Sequence, residues 1–169
     1  MDVRFLDTRS DFESRWRLLK AARERLAAAT TLEAIMEIVR SSARAIVSAD
    51  GVTFVLREGD NCHYAEEDAI GPLWKGQRFP LSACISGWAM LNDKTAVIED
   101  IYADARIPHD AYRRTFVQSL IMTPVRTKSP VAAIGAYWSD RREFGPQHVA
   151  VIESLADAVG EALGVALAA

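Results

Sequence analysis

Residues 119–139 read SLIMTPVRTKSPVAAIGAYWS, two apolar segments separated by a short polar one. Apolar runs of this length, bounded by turn residues, are typical of strands. The pattern predicts strands over Ser119–Thr127 and Ala132–Ser139, joined by Lys128-Ser129-Pro130. Because so short a connection joins antiparallel neighbours, this stretch indicates an antiparallel sheet.

Further strand signals lie on the N-terminal side of this pair. Val52–Arg57 predicts a strand, Glu58–Asn61 predicts a hairpin turn, and Cys62–Glu66 predicts the returning strand. Arg78–Leu81 predicts a short edge strand, where the missing donor of its proline does little harm. Thr95–Glu99 predicts one more strand.

Long helix signals gather at both ends of the chain. The stretch Ser10–Glu13 has the spacing of a capping box and predicts a helix over Asp11–Ala29. A second capping box at Thr30–Glu33 predicts a helix that continues to about Val47. The last helix is predicted from Gly145-Pro146 to the end of the sequence.

The middle of the chain is less regular and is predicted to hold two short helices. One is expected over Ala83–Leu91 with Ser82 as its cap, and the other over Asp110–Phe116. Antiparallel strands with helices at both chain ends predict an α+β fold. We expect a five- or six-stranded sheet with the terminal helices on one face and a ligand pocket under the irregular middle on the other.

Apolar stripes on the terminal helices predict a second contact surface. The last helix carries two stripes, which implies burial on two sides, and Gly160 and Gly164 would permit close helix approach. This helix either lies between the sheet and the first two helices or also packs on a second subunit. The a/d-type stripe of the first helix favours the second interpretation. The predicted dimer contacts are Phe12, Trp16, Leu19, Leu26, Val159 and Leu163.

Composition excludes several classes of protein. The chain has 169 residues, of which 50% are hydrophobic and 25% charged, which is the balance of one globular domain. Its net charge of −3 provides no bulk attraction to nucleic acid or to an anionic membrane. Two cysteines are too few for a secreted disulfide scaffold, and no apolar run reaches the length of a transmembrane helix. We therefore expect a cytoplasmic protein.

Four segments resemble GAF domains, in particular those that precede the kinase region of bacterial sensor histidine kinases. They read FPLSACISGWAM (79–90), DARIPHDAYRRTFVQSL (104–120), MTPV (122–125) and AIGAYW (133–138). The resemblance covers about Thr30 to Ala168. It implies residues 1–29 as a signalling and dimerisation helix and residues 30–169 as the GAF domain, with a six-stranded sheet. It also implies a homodimer and a kinase output domain as a partner, and the pattern of the last helix favours a fragment over a stand-alone sensor.

The resemblance places a small-molecule pocket between the sheet and the segments Ser82–Leu91 and Asp100–Phe116. Aromatic residues there either line a cavity with polar tips and apolar bodies or simply fill the core. His109 is the most interesting histidine, because it follows Pro108 in the presumed pocket wall. The expected pocket residues are Phe79, Cys84, Trp88, Tyr102, Ile107, His109, Tyr112 and Phe116. The sequence requires no cofactor and does not identify the ligand.

Known ligand signatures of GAF domains are missing. The Asn-Lys-Phe-Asp-Glu string of cyclic-nucleotide-binding members does not occur. Bilin-binding members carry a Cys-His dipeptide downstream of an Asp-Ile-Pro motif, whereas Cys62-His63 lies upstream of the loosely similar Asp104–Pro108. The histidines form no metal-ligand run, so no metal is predicted.

Two cysteine-based alternatives to simple ligand binding need consideration. Free methionine-sulfoxide reductases are GAF enzymes with a cysteine directly before the glycine that corresponds to Gly87, where this chain has Ser86. Serine cannot form the sulfenic acid that this chemistry needs. Cys84 lies one turn into a predicted helix, whose N-terminus can favour a thiolate, but a free cysteine is more often an inert core residue.

These observations predict a non-catalytic sensory module of a bacterial two-component or related signal-transduction protein. It would bind a small molecule and signal through paired terminal helices. One alternative is a thiol redox enzyme or redox sensor that uses Cys84. The other is a pure dimerisation scaffold whose pocket is filled by its own side chains.

Overall fold

The computed structural model describes residues 8–168 and contains one antiparallel sheet. Its strands are β1 (Gly51–Glu58), β2 (Asn61–Ala69), β3 (Arg78–Pro80), β4 (Ala96–Ile98), β5 (Ser119–Arg126) and β6 (Pro130–Trp138). They are ordered β3-β2-β1-β6-β5-β4, and every neighbouring pair is antiparallel. The prediction of a five- or six-stranded antiparallel sheet is confirmed, with six strands. Arg78–Pro80 is an edge strand, as its proline predicted.

Three long and two short helices complete the architecture. They are α1 (Arg9–Ala28), α2 (Leu32–Val47), α3 (Ile85–Asn92), α4 (His109–Tyr112) and α5 (Pro146–Ala168). One-turn 3-10 helices occupy Leu81–Ala83 and Ile101–Ala103. The α+β class and the gathering of long helices at the chain ends are therefore as predicted.

The predicted helix caps are displaced by one to two residues. Thr8, rather than Ser10, caps α1, because its hydroxyl accepts from the Asp11 amide while the Asp11 carboxylate accepts from the Thr8 amide. Thr31, rather than Thr30, caps α2. The helix predicted over Ala83–Leu91 begins later, since Leu81–Ala83 forms a 3-10 turn and Cys84 is the extended residue before α3. Neighbouring Ser and Thr residues offer several similar caps, and tertiary packing selects among them.

The terminal helices form one core with one face of the sheet. Helices α2 and α5 contact the sheet, and α1 packs on both of these helices. Val52 and Phe54 of β1 and Ile134 of β6 point into this core, whereas the alternate residues of these strands point to the opposite face. Helix α5 therefore lies between the sheet and α1, with α2 beside it on the sheet, which confirms burial of α5 on two sides within one chain; packing of α5 on a second subunit stays a prediction.

Five of the six predicted dimer contacts lie inside the single chain, so they are not available for the second contact surface that the stripes predicted. Phe12, Leu19, Leu26, Val159 and Leu163 are all buried in the core of one chain. The reason is that α1 uses its stripe to cover α2 and α5. Only Trp16 among the predicted contacts is exposed, at 40%. Other exposed apolar side chains on the terminal helices are Leu18, Val165 and Leu167.

The two glycines of α5 have different surroundings. A β-carbon on Gly160 would overlap the backbone carbonyl of Arg126, so this glycine allows α5 to lie directly against the end of β5. Gly164 has open space around it. The expected close approach is therefore made by Gly160 to a strand, and not by both glycines to a helix.

A second core covers the opposite face of the sheet. It contains α3, α4 and the segment 70–77, which packs over residues of β1, β2, β5 and β6. Gly87 is necessary here, because a β-carbon at this position would overlap the Leu81 carbonyl oxygen. Close packing of α3 against the Leu81–Ala83 turn thus fixes the start of this helix. We call this side the site face of the sheet.

Candidate functional site

The centre of the site face is filled by four aromatic rings, which we call the aromatic cluster: Tyr64, Trp74, Tyr112 and Tyr137. The Trp74 ring lies at the middle, with centroid distances of 4.6 Å to Tyr112, 5.5 Å to Tyr64 and 5.5 Å to Tyr137. All four side chains are buried. Tilted and edge-to-face contacts at such distances add to the stabilisation from burial alone.

Trp74 reaches this position because the carboxylate of Glu67 organises the segment around it. That carboxylate accepts hydrogen bonds from the backbone amides of Leu73, Trp74 and Lys75, at 3.0, 2.9 and 2.7 Å. The Trp74 indole nitrogen in turn donates to the backbone carbonyl oxygen of Ala111 at 3.1 Å. This indole bond connects the segment 70–77 directly to α4.

The hydroxyls of Tyr64 and Tyr137 have polar partners from α3 and the strands. The Tyr64 hydroxyl lies 3.0 Å from the Ser86 hydroxyl, and the Tyr137 hydroxyl lies 2.8 Å from that of Thr53. Gly135 leaves the room that the second pair needs, because a β-carbon there would crowd both oxygens. Burial raises the pKa of Tyr64 and Tyr137 above the usual value, so both stay neutral.

An open depression lies directly outside the aromatic cluster. It has a volume of about 400 Å³ and lies between the segment 72–77 and α4. Trp74 and Phe79 form part of its floor, and Asp110 and Arg114 form part of its polar rim. A concave surface with an aromatic floor and a few polar groups is the usual form of a small-molecule site.

The structure brings some of the predicted pocket residues together at the cluster. Phe79 packs edge-on against Tyr64 with a centroid distance of 5.6 Å. Tyr112, Ile107 and Cys84 are buried in the same core, and the half-buried Phe116 packs against it. Tyr112 is therefore packed against Trp74, and the expectation that its ring lines an open cavity is not met.

Trp88, Tyr102 and His109 form a separate group outside the cluster. The Arg106 guanidinium lies 4.3 Å from the Trp88 ring centre and pairs with Asp104 at 2.7 Å. Tyr102 is 42% exposed and packs against His109 with a centroid distance of 5.4 Å. A single cavity lined by Trp88, Tyr102, Tyr112 and Phe116 is thus not what the fold produces, because the turn at Ile101–Ala103 turns Tyr102 outward.

His109 has a structural role in this group. Its Nε2 lies 3.0 Å from the carbonyl oxygen of Ile101 and 3.1 Å from that of Asp104. Since carbonyl oxygens only accept, Nε2 carries the hydrogen and donates to them. The pKa of the Asp104 carboxyl is lowered, chiefly by its hydrogen bond to Arg106. Together these contacts hold the turn that precedes α4.

The two cysteines lie side by side at the edge of the site face. The Sγ atoms of Cys62 and Cys84 are 3.3 Å apart, and the Ser86 hydroxyl donates to the Cys84 sulfur at 3.3 Å. Hydrogen bonds from Cys62, Ser86 and the Gly87 amide lower the pKa of Cys84 to about 6. The neighbouring Cys84 thiolate and burial raise the pKa of Cys62. Cys84 therefore ionises first, and Cys62 keeps its proton.

Sequence reasoning missed Trp74, Tyr64 and Tyr137 as site residues. Tyr64 and Tyr137 lie on predicted strands, and strand alternation alone could have placed them on one face. Trp74 lies in a segment without periodicity, and its position depends on the distant Glu67 carboxylate. The structure also places Cys62 beside Cys84, a pairing that neither residue's local sequence indicates.

Residues 8–168 contain no group of three or more His, Cys, Asp or Glu side chains arranged to hold a metal ion.

A match to a protein-family model identifies the family to which this chain belongs. A model of the GAF domain family matches residues 29–164, which is most of the sequence. The chain belongs to the GAF domain family. GAF domains are small-molecule-binding sensory modules. The resemblance of the sequence to GAF domains is therefore confirmed.

Solved structures share the fold at low sequence identity. A free methionine-R-sulfoxide reductase from Neisseria meningitidis, in complex with its substrate, has a TM-score of 0.81 at 15% identity, covering 97% of this chain and 96% of that one. The GAF domain of a phosphoenolpyruvate-protein phosphotransferase from Acinetobacter has a TM-score of 0.78 at 12% identity, with coverages of 92% and 96%. A cyanobacterial phytochrome GAF domain with bound phycoerythrobilin has a TM-score of 0.72 at 14% identity, with coverages of 90% and 95%.

Among curated proteins, none matches the chain significantly. Within residues 8–168, none of the helices combines the length and hydropathy needed to cross a lipid bilayer.

Proposed function

We propose that this GAF domain is a non-catalytic sensory module of a bacterial signal-transduction protein, and that it binds a small molecule at the aromatic cluster. The observation that carries the proposal is the hydrogen bond between Trp74 and Ala111, which closes the cluster beneath the open depression. It joins two segments outside the sheet, and such segments open at lower free energy than core strands. A planar or apolar ligand would enter there and take the place of the Trp74 ring.

Strand β6 would transmit the effect of a ligand at the aromatic cluster to the terminal helices. Tyr137 faces the aromatic cluster, and the next residue, Trp138, faces the terminal helices. The Trp138 indole donates to the carbonyl oxygen of Ser48, at the C-terminal end of α2, at 2.9 Å. A ligand that moves Tyr137 would therefore shift the strand on which α2 rests. Paired terminal helices of a homodimer would carry this shift to an output domain such as a histidine kinase.

The part of the proposal that excludes methionine-sulfoxide reductase activity rests on Ser86. By its resemblance to the free methionine-sulfoxide reductases, the chain has this serine where those enzymes have a cysteine, and the Ser86 hydroxyl is hydrogen-bonded to Tyr64. A hydroxyl cannot be oxidised to a sulfenic acid. We expect purified protein with a thiol reductant to leave free methionine sulfoxide unchanged. Turnover above that of heat-inactivated protein would contradict this part.

The packing of the aromatic cluster favours a second candidate function. The four rings occupy the space that a ligand would need, with centroids as close as 4.6 Å. A domain that is permanently filled in this way would act as a dimerisation scaffold without a ligand. The two functions differ in whether the ring of Trp74 is ever displaced.

A binding screen separates the two candidates. Thermal stability would be measured with biliverdin, haem, cyclic GMP and free methionine sulfoxide, and mass spectrometry of denatured protein would identify any co-purified compound. We expect at least one compound to bind saturably and to lose binding in Ala111→Trp, which fills the depression. Ala150→Trp on the exposed surface of α5 is the matched control. Equal binding to both variants would contradict the assigned site, and no bound compound at all would favour the scaffold.

A further inference from the structure

The cysteine pair is a cluster of nucleophiles that ligand binding does not use. Cys62 lies on β2, where it pairs with Phe79 of β3. The chain then turns through Leu81–Ala83 and places Cys84 just before α3, so that the two sulfurs are 3.3 Å apart. A disulfide has a sulfur–sulfur distance of about 2 Å, so only a small side-chain movement separates the observed thiols from a bond.

From this geometry we infer that Cys62 and Cys84 form a peroxide-reactive dithiol site, in which Cys84 is the attacking thiol and Cys62 resolves it to a disulfide. The site does not depend on the proposed small-molecule function. Its substrate class is a small hydroperoxide such as hydrogen peroxide. Cys84 is 7% exposed and follows the exposed residues Ser82 and Ala83, whereas Cys62 is fully buried. A small oxidant therefore reaches Cys84 first.

The environment of Cys84 supports its role as the attacking thiol. The Ser86 hydroxyl donates to its sulfur, and the Cys62 sulfur is 3.3 Å away, so once Cys84 has lost its proton the Cys62 thiol can donate to the thiolate as well. Ser86 is itself held by Tyr64 at 3.0 Å, so its hydroxyl is fixed in position. The thiolate is the nucleophilic form of cysteine, and Cys62 stays protonated as long as the Cys84 thiolate is beside it.

The reaction balances with one peroxide for each pair of thiols. The Cys84 thiolate attacks one peroxide oxygen, the O–O bond breaks, and hydroxide leaves, which yields a sulfenic acid on Cys84. The loss of the negative charge then allows Cys62 to attack this sulfur. The S–S bond forms, the S–O bond breaks, and the hydroxyl leaves as water with the Cys62 proton. Two thiols are oxidised by two electrons, and the hydrogen peroxide is reduced to two waters.

The disulfide would affect the segment that covers the aromatic cluster. It closes a ring over residues 62–84, and this ring contains both Glu67 and Trp74. Oxidation would therefore restrict the same segment that must move to admit a ligand. A thiol reductant would reverse this restriction.

Peptide mapping of the whole protein tests the site. Trypsin cleaves after Lys75 and Arg78, so the two cysteines fall on peptides 58–75 and 79–94. After treatment with hydrogen peroxide we expect an intact mass lower by two hydrogen atoms, these two peptides linked, and full reversal by a phosphine reductant. In Cys62→Ser we expect a sulfenic acid on Cys84 that dimedone traps. In Cys84→Ser we expect Cys62 to react at least tenfold more slowly.

Three outcomes would overturn the inference. The first is oxygen addition to wild-type protein without the linked peptides. The second is no reaction under conditions in which the urea-unfolded protein is oxidised. The third is equal reactivity of Cys62 and Cys84 in the two serine variants. The wild-type peptide map decides the question even if a serine variant fails to fold.

Discussion

The indole nitrogen of Trp74 donates a hydrogen bond to the backbone carbonyl oxygen of Ala111 at 3.1 Å, and this bond joins the two segments that border the open depression. Neither segment belongs to the sheet. The ring of the same tryptophan fills the space at which a small molecule would contact Tyr64, Tyr112 and Tyr137. The Trp74 side chain thus both fills the centre of the aromatic cluster and links its two covering segments.

The carboxylate of Glu67 should control how firmly Trp74 is held. Glu67→Gln replaces a charged acceptor of three backbone amides by a neutral one. Hydrogen bonds to charged groups are the stronger ones, so we expect a local loss of about 1–2 kcal/mol. Amide hydrogen exchange in residues 72–77 should accelerate about tenfold, since a factor of ten corresponds to about 1.4 kcal/mol.

The neighbouring variant Glu66→Gln is the control for this measurement. It removes the negative charge that pairs with Lys75 at 3.0 Å, in a pair whose lysine side chain is 55% and whose glutamate side chain is 23% exposed, and it leaves the three amide bonds to Glu67 in place. A partly exposed ion pair contributes about 1 kcal/mol or less, which is below the effect expected for Glu67. An equal acceleration of exchange in both variants would show that Glu67 does not organise the segment.

Substitution by alanine at Gly87 and at Gly164 should change the free energy of unfolding in opposite directions. Gly87→Ala drives a methyl group into the Leu81 carbonyl oxygen, so we expect a loss of about 3 kcal/mol in the free energy of unfolding. Gly164→Ala adds a methyl group in open space on α5 and should stabilise by up to about 1 kcal/mol through helix propensity. Urea unfolding measures both. A tolerated Gly87→Ala would mean that α3 does not pack as closely as described.

If the terminal helices pair in a dimer, the contact must use the residues that remain exposed on them. Two shallow grooves along α1 share Arg23 and Ala27, with Trp16 on the border of one and Val165 on the border of the other. We expect wild-type protein to be dimeric by light scattering and Trp16→Glu to weaken the dimer at least tenfold. Leu19→Glu is unsuitable because Leu19 is buried and the charge would unfold the chain.

Leu91→Glu provides the matched control for the dimer. Leu91 is an exposed apolar residue on α3, on the other side of the sheet from α1 and α5. This variant should leave the dimer intact. A monomeric wild-type protein, or equal weakening by Leu91→Glu and Trp16→Glu, would remove the case for paired terminal helices.

The alkylation rate of Cys84 should depend on pH as expected of an acidic thiol. The titratable groups that face it are Cys62 and Tyr64 on β2, Tyr112 on α4 and Tyr137 on β6; the pKa of each is raised. The pKa of Cys84 alone is lowered, to about 6. An acid with a lowered pKa ionises at lower pH, so the rate with iodoacetamide should be half-maximal near that value. The alkylation rate of an ordinary cysteine is half-maximal at a pH of about 8.5.

A pair of serine variants tests the cause of this low pKa. Ser86→Ala removes a hydroxyl that donates to the Cys84 sulfur, so the midpoint should move to higher pH. Ser82→Ala, at an exposed position of the preceding turn, should leave the midpoint unchanged. A wild-type midpoint near that of an ordinary cysteine, with no effect of Ser86→Ala, would contradict the described environment.

Local sequence patterns predicted most of the fold. Apolar runs bounded by turn residues located the strands Ser119–Arg126 and Pro130–Trp138, and the proline of Arg78–Pro80 indicated an edge strand. The apolar stripe of α1 was predicted correctly, but the surface that it packs against was not. A second subunit was predicted, whereas the stripe covers α2 and α5 of the same chain. An apolar stripe indicates burial, and it does not distinguish burial within a chain from burial between chains.

The site was harder to predict because its contacts join distant parts of the sequence. Tyr112 was expected at the site and is there, but Tyr102 faces outward. Trp74 is positioned by a carboxylate on a different segment, and the proximity of Cys62 and Cys84 follows from the pairing of β2 with β3. Such long-range relationships have no local periodicity that the sequence could reveal.

The central claim is that Trp74 can leave the aromatic cluster while the rest of the domain stays folded. Exchange of indole N–H hydrogens, followed by NMR in heavy water, tests this directly, with Trp138 as the internal reference. Both indoles donate to backbone carbonyl oxygens, Trp74 to Ala111 at 3.1 Å and Trp138 to Ser48 at 2.9 Å, and both side chains are buried. The account predicts that the Trp74 hydrogen exchanges at least tenfold faster than that of Trp138, and that it does so without global unfolding. Equal rates, both following the global stability as urea is added, would show that the cluster opens only on unfolding and would contradict the account.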